Sequence, residues 1–183
     1  MAAPTLVLDP KGNGLTRWED CRPGRTDLPR HLAEIPVLGI TPLRAGDEVT
    51  MPGWCFRRTR RPGQGRLTGR PTLGLLLVLI SPRTPNDPEA AQSLRDWADF
   101  IHISHIAAAG VPGYTMITPY EVDGAGPRFL HFYEMDDGDD PEATFKRMTP
   151  LVHQRLNQTD YDRWTGHPEL RIDYVSTYRL IRD

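Results

Sequence analysis

The sequence predicts an α+β fold in which two helices cover one face of a four-stranded antiparallel sheet. One observation is the aliphatic run Leu73–Ile80, which has no polar face and is therefore typical of a central strand buried on both sides. The other is a helix start, Asp-Pro-Glu-Ala, which occurs at Asp87 and again at Asp140. Aspartate caps the free N–H groups of a first turn, proline suits the first helical position, and glutamate suits the positive end of the helix dipole.

The remaining elements of this half follow from apolar periodicity and turn residues. Pro150 is expected to interrupt or kink the second helix. The order is β-α-β-β-α-β, the ferredoxin-like pattern, which leaves the second face of the sheet bare and in need of a cover. The predicted helices and later strands are 90–109, Tyr114–Val122, Arg128–Met135, 141–156 and Leu170–Ile181.

The front of the chain, residues 1–72, is predicted as a separate N-terminal region ahead of a ferredoxin-like domain over 73–183. Its Ile40-Thr41-Pro42 and the later Ile117-Thr118-Pro119 each follow a His-x-Ala segment and a proline in the same order. This favours a degenerate first repeat, and chance similarity is the alternative. The segments predicted in this region are strands at Thr5–Asp9, Ile35–Leu43 and Val49–Arg58, weak helix at Leu15–Glu34, and a linker at Gln64–Pro71.

Charge is unevenly distributed between these two parts. Residues 1–72 carry twelve Lys and Arg against seven Asp and Glu, whereas residues 73–183 carry ten against seventeen. Much of the positive excess is six arginines between Arg57 and Arg70, without aromatic residues among them and in a segment rich in glycine and proline. We interpret this segment as a loop, solvated or packed against the acidic half, and expect no nucleic-acid partner.

Cysteine content and the N-terminal sequence predict a cytoplasmic protein. Cys21 and Cys55 have no metal-binding or CxxC spacing, so reduced thiols are expected. The start of the chain lacks the charged and apolar regions of a signal peptide, and Leu73–Ile80 is too short to span a bilayer. We therefore expect no membrane partner.

Residues 73–183 resemble the dimeric α/β-barrel superfamily, a ferredoxin-like group with antibiotic-biosynthesis monooxygenases, polyketide cyclases, stress-responsive barrel proteins and EthD-like proteins. The resemblance rests on the element order, on Leu75–Ser81 opening the sheet, on a helix ending in Val111–Tyr114, and on the strand Phe129–Met135. It implies two sheets paired into a barrel, with small apolar ligands bound between sheet and helices. A homodimer is therefore expected, unless the N-terminal repeat replaces the partner in a tandem, pseudo-dimeric barrel.

Three histidines are the predicted catalytic residues. On a helical wheel His105 shares an apolar face with Trp97 and Ile101, and this face is expected to point at the sheet. His102 lies to one side, where Asp99 at i−3 is placed to orient its imidazole. His131 lies in an otherwise apolar strand, where desolvation is costly without a partner. Satisfied core histidines are the structural alternative for His105 and His131.

Aromatic residues on the first helix and neighbouring strands are the predicted substrate contacts. Tyrosine hydroxyl groups there are placed to donate to a developing oxyanion. Packing is the alternative role for each tyrosine. The residues predicted to bind substrate are Trp97, Tyr114, Tyr133, Tyr174 and Tyr178.

The predicted function is histidine acid/base catalysis on a small apolar or aromatic, polyketide-like substrate, leading to cyclisation, dehydration or isomerisation. The alternatives are a cofactor-independent monooxygenase and a ligand-binding barrel without turnover. We expect no cofactor and no metal. Haem is the alternative cofactor, because some members of the superfamily that the sequence resembles bind haem through histidine. The acidic loop Asp136–Asp140 lacks the ligand spacing of an EF-hand and is expected to be solvated.

Overall fold

The structure is a computed structural model that describes residues 3–66 and 68–182. The strands are β1 Thr5–Asp9, β2 Thr16–Asp20, β3 Val37–Leu43, β4 Trp54–Arg58, β5 Gln64–Gly65, β6 Gly74–Pro82, β7 Tyr114–Val122, β8 Phe129–Met135 and β9 Leu170–Leu180. The helices are α1 Pro88–Trp97, a π-helical segment Ala98–His102, α2 Ile103–Ala109, α3 Pro141–His153 and α4 Gln158–Thr165.

Eight of the strands form a closed antiparallel barrel from a single chain. Their order is β4-β1-β3-β2-β9-β6-β8-β7, and β4 pairs with β7 to complete the circle. The short β5 pairs with β7 beside β4, so it adds to the barrel at its rim. The predicted α+β class and the predicted barrel are therefore confirmed.

The barrel interior is filled by large side chains. Along β6, Leu75, Leu77 and Leu79 point inward and Leu76 points outward, because successive residues of a strand alternate between its faces. Both faces of this strand are buried, as its apolar run predicts. The buried interior residues are Leu6, Leu8, Trp18, Ile35, Leu38, Ile40, Phe56, Leu75, Leu77, Leu79, Tyr120, Leu130, Phe132, Tyr174 and Tyr178.

The helices form a second layer on the outer surface of β6 to β9. Ile103 and Ile106 of α2 and Met148 of α3 pack against Leu76 and Tyr133 of the sheet. Both predicted helix starts are present, since Asp87 accepts from the Glu89 N–H and Asp140 from the Ala143 N–H. The layer lies only on the second half of the barrel, because no helix is found between residues 3 and 66. No described helix has the length and apolar character needed to cross a membrane.

The two halves of the barrel have corresponding strand orders, β4-β1-β3-β2 and β9-β6-β8-β7. The similar segments Ile40-Thr41-Pro42 and Ile117-Thr118-Pro119 do not occupy corresponding strands. Ile40 lies in the third strand of its half, whereas Ile117 lies in the second strand of its half. The weak helix predicted at Leu15–Glu34 is wrong, since β2 occupies its start. Gln64–Pro71 is likewise not a simple linker, because it contains β5.

A tight crossover replaces the first helix in the N-terminal half. Residues 10–15 pass over β3, and the Asp9 carboxylate holds the turn by accepting from the Lys11 N–H and the Asn13 side chain, each at 2.8 Å. A Cβ atom at Gly39 would lie 2.0 Å from the Asn13 carbonyl oxygen. Only glycine at this position lets the loop lie directly on the strand.

We expect Gly39→Ala to lower the free energy of unfolding by about 2 kcal/mol or more, because overpacking against backbone costs about 1–3 kcal/mol. Gly166→Ala is the matched control, with extended backbone at φ −149° and no atom within 4 Å of its Cβ position. It should change stability by less than about 0.5 kcal/mol. Chemical denaturation measures both, and a Gly39→Ala variant as stable as the control would contradict the crossover.

We also expect one chain, 20.7 kDa, to be the species in solution, because β2–β9 and β4–β7 pairing close the barrel internally. Light scattering measures this mass. A mass twice as large at micromolar concentration would instead support a homodimer. The homodimer is the alternative that the sequence predicts if the N-terminal region does not replace the partner.

Candidate ligand clefts beside a π-helical segment

A π-helical turn divides the first helix and changes which residues face the sheet. The Ile103 N–H donates to the Ala98 carbonyl, which inserts one extra residue into the turn. Each added residue rotates the following chain by about 100°. Ile103 and Ile106 are therefore buried against the sheet, and His105 is half-buried at the side. The wheel prediction that His105 points at the sheet is wrong for this reason.

His102 lies inside an aromatic stack formed by two separate helices. Its ring is nearly parallel to Trp164, with centroids 5.2 Å apart and an interplanar angle of 9°, and lies 5.0 Å from the ring of Trp97. Nδ1 is 3.0 Å from the Trp164 carbonyl oxygen, so Nδ1 carries the proton and donates. The indole N–H of Trp164 donates in return to the His102 carbonyl at 3.1 Å. Asp99 does not orient this imidazole, because Arg61 is its partner at 3.1 Å.

His131 is buried in β8 on the face that the helices cover. It is 4% exposed. Burial, assisted by the nearby His102, lowers the pKa of His131 to about 3. The pKa of His102 is also lowered, chiefly by burial and in part by His105. The three imidazoles are thus electrically coupled in the order His131, His102, His105.

A largely apolar cleft lies next to this stack, and none of the three predicted histidines lines it. It has a volume of about 460 Å³ and opens between the first helix and the loop after α4. Its walls are largely apolar, and Phe100 at its edge is 65% exposed. We call this space the tryptophan cleft, defined by Ser93, Asp96, Trp97, Phe100, Ile101, Arg163, Gly166, His167 and Pro168.

A serine and a histidine meet at the edge of the tryptophan cleft, but their hydrogen bonding opposes nucleophile activation. His167 Nδ1 accepts from the Glu169 N–H at 3.2 Å, so the neutral ring carries its proton on Nε2. Nε2 is 3.1 Å from Ser93 Oγ and therefore donates to it. Partial burial lowers the pKa of His167 and favours this neutral form. Ser93 is thus a hydrogen-bonding group, since a general base would have to accept its proton.

Two smaller clefts continue from Phe100 along the segment 59–66, which we call the arginine strap. The first, about 260 Å³, is the proline cleft, lined by Arg60, Arg61, Pro62, Gln64, Asp99, Phe100, Ile103 and Pro119. The second, about 380 Å³, is the arginine cleft, lined by Arg57, Arg58, Thr59, Arg60, Arg61, Arg95, Glu121, Val122 and Asp123. Arg61 holds the strap against the first helix, with its guanidinium 4.7 Å from the Phe100 ring and ion pairs to Asp96 and Asp99.

The predicted substrate contacts fall in three separate places. Trp97 lines the tryptophan cleft. Tyr114 and Tyr133 pack together under the helices, with their ring centroids 5.5 Å apart, and burial raises the pKa of both hydroxyl groups. Tyr174 and Tyr178 lie inside the barrel, where their hydroxyl groups are 3.1 Å apart and the pKa of each is raised by burial. The structure therefore does not bring these five residues to one site.

The surroundings of the three predicted histidines do not suit an axial haem ligand. A haem needs an imidazole nitrogen facing a flat space, whereas the ring of His102 is stacked on Trp164 and lies 5.0 Å from the ring of Trp97. His131 is buried, and neither it nor His105 lines any of the three clefts. Within the described part of the chain, no three His, Cys, Asp or Glu side chains are grouped to hold a metal ion.

Two features of the clefts, the π-helical turn and the helix α4, are not among the elements predicted from the sequence. The π-helical turn has no local sequence signal, since its residues continue an ordinary helical pattern. The helix α4 was absent from the predicted elements, although Asn157 caps it by accepting from the Asp160 N–H at 2.9 Å. An asparagine followed by an acidic third residue is a usable helix start, and it was the signal available for this element.

Comparison with known proteins gives fold neighbours only. No family model matches the sequence, and no curated protein does. A structure described as a major regulator of staphylococcal pathogenesis matches over 97% of this chain and 99% of its own, with TM-score 0.56 and 8% identity. An uncharacterised ferredoxin-fold protein from Listeria monocytogenes, described as related to antibiotic biosynthesis monooxygenases, matches over 98% and 95%, with TM-score 0.50 and 14% identity.

A dimeric chlorite dismutase from Nitrobacter winogradskyi matches over 97% of this chain and 99% of its own, with TM-score 0.48 and 15% identity. At such identities the likeness concerns the fold. The predicted resemblance is confirmed for the fold, a ferredoxin-like α+β architecture, and the eight-stranded barrel agrees with it.

The depressed pKa of His131 predicts a pH dependence of stability. Because the folded pKa, about 3, lies below the unfolded value of 6.5, the unfolded chain binds the proton more readily. The contribution of neutral His131 to the free energy of unfolding is complete above pH 6.5 and is lost as the pH falls toward 3. Between pH 7 and pH 5 this loss amounts to about 2 kcal/mol.

We expect His131→Leu to reduce the fall in unfolding free energy between pH 7 and pH 5 by about that amount. Urea denaturation at each pH measures the difference. Between pH 8 and pH 7 the variant and the parent protein should show the same pH dependence, which serves as the control. An unchanged fall between pH 7 and pH 5 would show that His131 is already solvated in the folded protein.

Proposed function

We propose that this protein binds a small, largely apolar molecule in the tryptophan cleft. The observation that supports this most is the position of the free space. The barrel interior is filled, whereas about 460 Å³ remains open beside Trp97, Phe100 and Ile101 on the outer side of the sheet. Ligand sites are usually apolar hollows of about 300–1,000 Å³ with a few polar groups.

The few polar groups of the tryptophan cleft suit orientation of a ligand. The Ser93 hydroxyl accepts from His167, so its own hydrogen remains available to donate. Asp96 and Arg163 line the same space and bear opposite charges. A ligand with an apolar body and one hydrogen-bond acceptor would satisfy Ser93 without leaving a buried charge unpaired.

Binding is favoured over the predicted acid/base catalysis because the three histidines do not reach these clefts. A general base works best with a pKa near the working pH, whereas burial lowers the pKa of His131 to about 3. Acid/base chemistry at His102, His105 and His131 stays a prediction, and loss of turnover in His105→Ala would support it. Cofactor-independent oxygenation also stays a prediction, for which ligand-dependent oxygen uptake is the measurement.

A variant that fills the cleft tests the proposal. Gly166 lines the cleft in extended conformation with no atom within 4 Å of its Cβ position, so Gly166→Phe adds a ring without backbone strain. Nile red, a neutral fluorescent probe, should bind the parent protein. Gly166→Phe should weaken this binding about tenfold or more, because a loss of about 1.4 kcal/mol in binding free energy raises the dissociation constant tenfold.

Leu15→Phe is the matched control, because Leu15 is 75% exposed on the opposite half of the barrel. It adds comparable apolar surface and should leave the probe affinity unchanged. Equal affinity of the parent protein and Gly166→Phe would show that the probe binds elsewhere and would overturn the proposal.

A further inference from the structure

The tryptophan cleft is the first of three adjoining spaces. Phe100 lines both the tryptophan cleft and the proline cleft. Arg60 and Arg61 line both the proline cleft and the arginine cleft. The spaces therefore form a row along the first helix, apolar at the Trp97 end and cationic at the far end.

The arginine cleft has more positive charge than its own carboxylates neutralise. Five arginines line it against the two carboxylates of Glu121 and Asp123. Three of the arginines are ion-paired, Arg57 to Asp123 at 2.6 Å, Arg95 to Glu121 at 2.6 Å, and Arg61 to aspartates of the first helix.

Arg58 and Arg60 are exposed and, within the described chain, form no ion pair. Two guanidinium groups at the end of the row are thus available to an incoming anion.

Two buried polar atoms at the same cleft also lack partners. Nε of Arg95 and Oγ1 of Thr59 are shielded from solvent and make no hydrogen bond to the described residues. Because solvent does not reach these two atoms, the groups open to a ligand in this cleft are the guanidinium groups of Arg58 and Arg60. Two guanidinium groups with several N–H donors each suit a group with several anionic oxygens.

We propose that the arginine cleft binds the phosphate group of an amphipathic ligand whose apolar part lies in the proline and tryptophan clefts. This inference rests on the proposed function and adds the substrate class. Phosphate fits better than carboxylate because it offers three terminal oxygens and up to two charges to several donors, and guanidinium groups bind it in bidentate fashion. The ligand class is thus a lipid-like or aromatic phosphate monoester.

The test compares octyl phosphate with octanol, which has the same apolar chain and no charge. Isothermal titration should show octyl phosphate binding at least tenfold more tightly to the parent protein. The double variant Arg58→Ala with Arg60→Ala should lose this advantage. Of the three clefts Arg58 lines only the arginine cleft, so the single variant Arg58→Ala should lower the affinity for octyl phosphate and keep the affinity for octanol. Arg17→Ala is the control, because Arg17 is an exposed arginine on β2, on the opposite side of the barrel, and it should change neither affinity.

The outcomes separate the two proposals. If octanol binds and Gly166→Phe blocks it, but phosphate adds no affinity or Arg58→Ala with Arg60→Ala leaves the affinity unchanged, the phosphate inference is overturned and the apolar site stands. If neither octanol nor octyl phosphate responds to Gly166→Phe, the proposed function fails. If a single-stranded oligonucleotide displaces octyl phosphate with higher affinity, the arginine cleft is a nucleic-acid surface and the inference is overturned.

Discussion

Closure of the barrel within one chain is the constraint on which the rest of the structure depends. Antiparallel pairing of β2 with β9 and of β4 with β7 joins two four-stranded halves into a continuous circle. Each pairing removes an exposed strand edge, and the circle encloses the sheet face that the predicted ferredoxin-like unit leaves bare. Fifteen buried residues, several of them aromatic, fill the enclosed volume. The tryptophan cleft accordingly lies outside the barrel, where the helix layer meets the outer surface of the second half.

The π-helical turn determines what that outer surface can do. By rotating the helix after Ala98, it turns Ile103 and Ile106 toward the sheet and leaves Phe100 exposed between two clefts. It also encloses His102 between two indoles. Burial lowers the pKa of His131 and His102, and none of the three predicted histidines lines the three clefts. Apolar, hydroxyl and guanidinium groups bind and orient a ligand, whereas proton transfer would need a titratable group with a pKa near neutrality.

The sequence predicted the second half of the fold well because its signals are local. Apolar runs, helix caps and a glycine-rich turn define β6 to β9 and both helix starts, and Tyr114–Val122 has the predicted bounds. The N-terminal half was harder, because a six-residue crossover on Gly39 replaces a helix and depends on a strand far along the chain. Among the site residues, Trp97 lines the tryptophan cleft, and its contact with substrate stays a prediction. The orientation of His105 and the strap contact of Arg61 with Asp99 depend on the π turn and on tertiary packing, for which the sequence has no periodic signal.

The most direct test of the central claim is an NMR titration of the indole N–H signals with a neutral apolar ligand such as Nile red. Trp97 lines the tryptophan cleft and donates its indole N–H to the Arg163 carbonyl at 2.7 Å, whereas Trp18 is 1% exposed inside the barrel. Binding in the tryptophan cleft should shift the Trp97 signal saturably and leave the Trp18 signal unchanged. A shift of Trp18 without one of Trp97 would place the ligand inside the barrel and rule out binding in the tryptophan cleft.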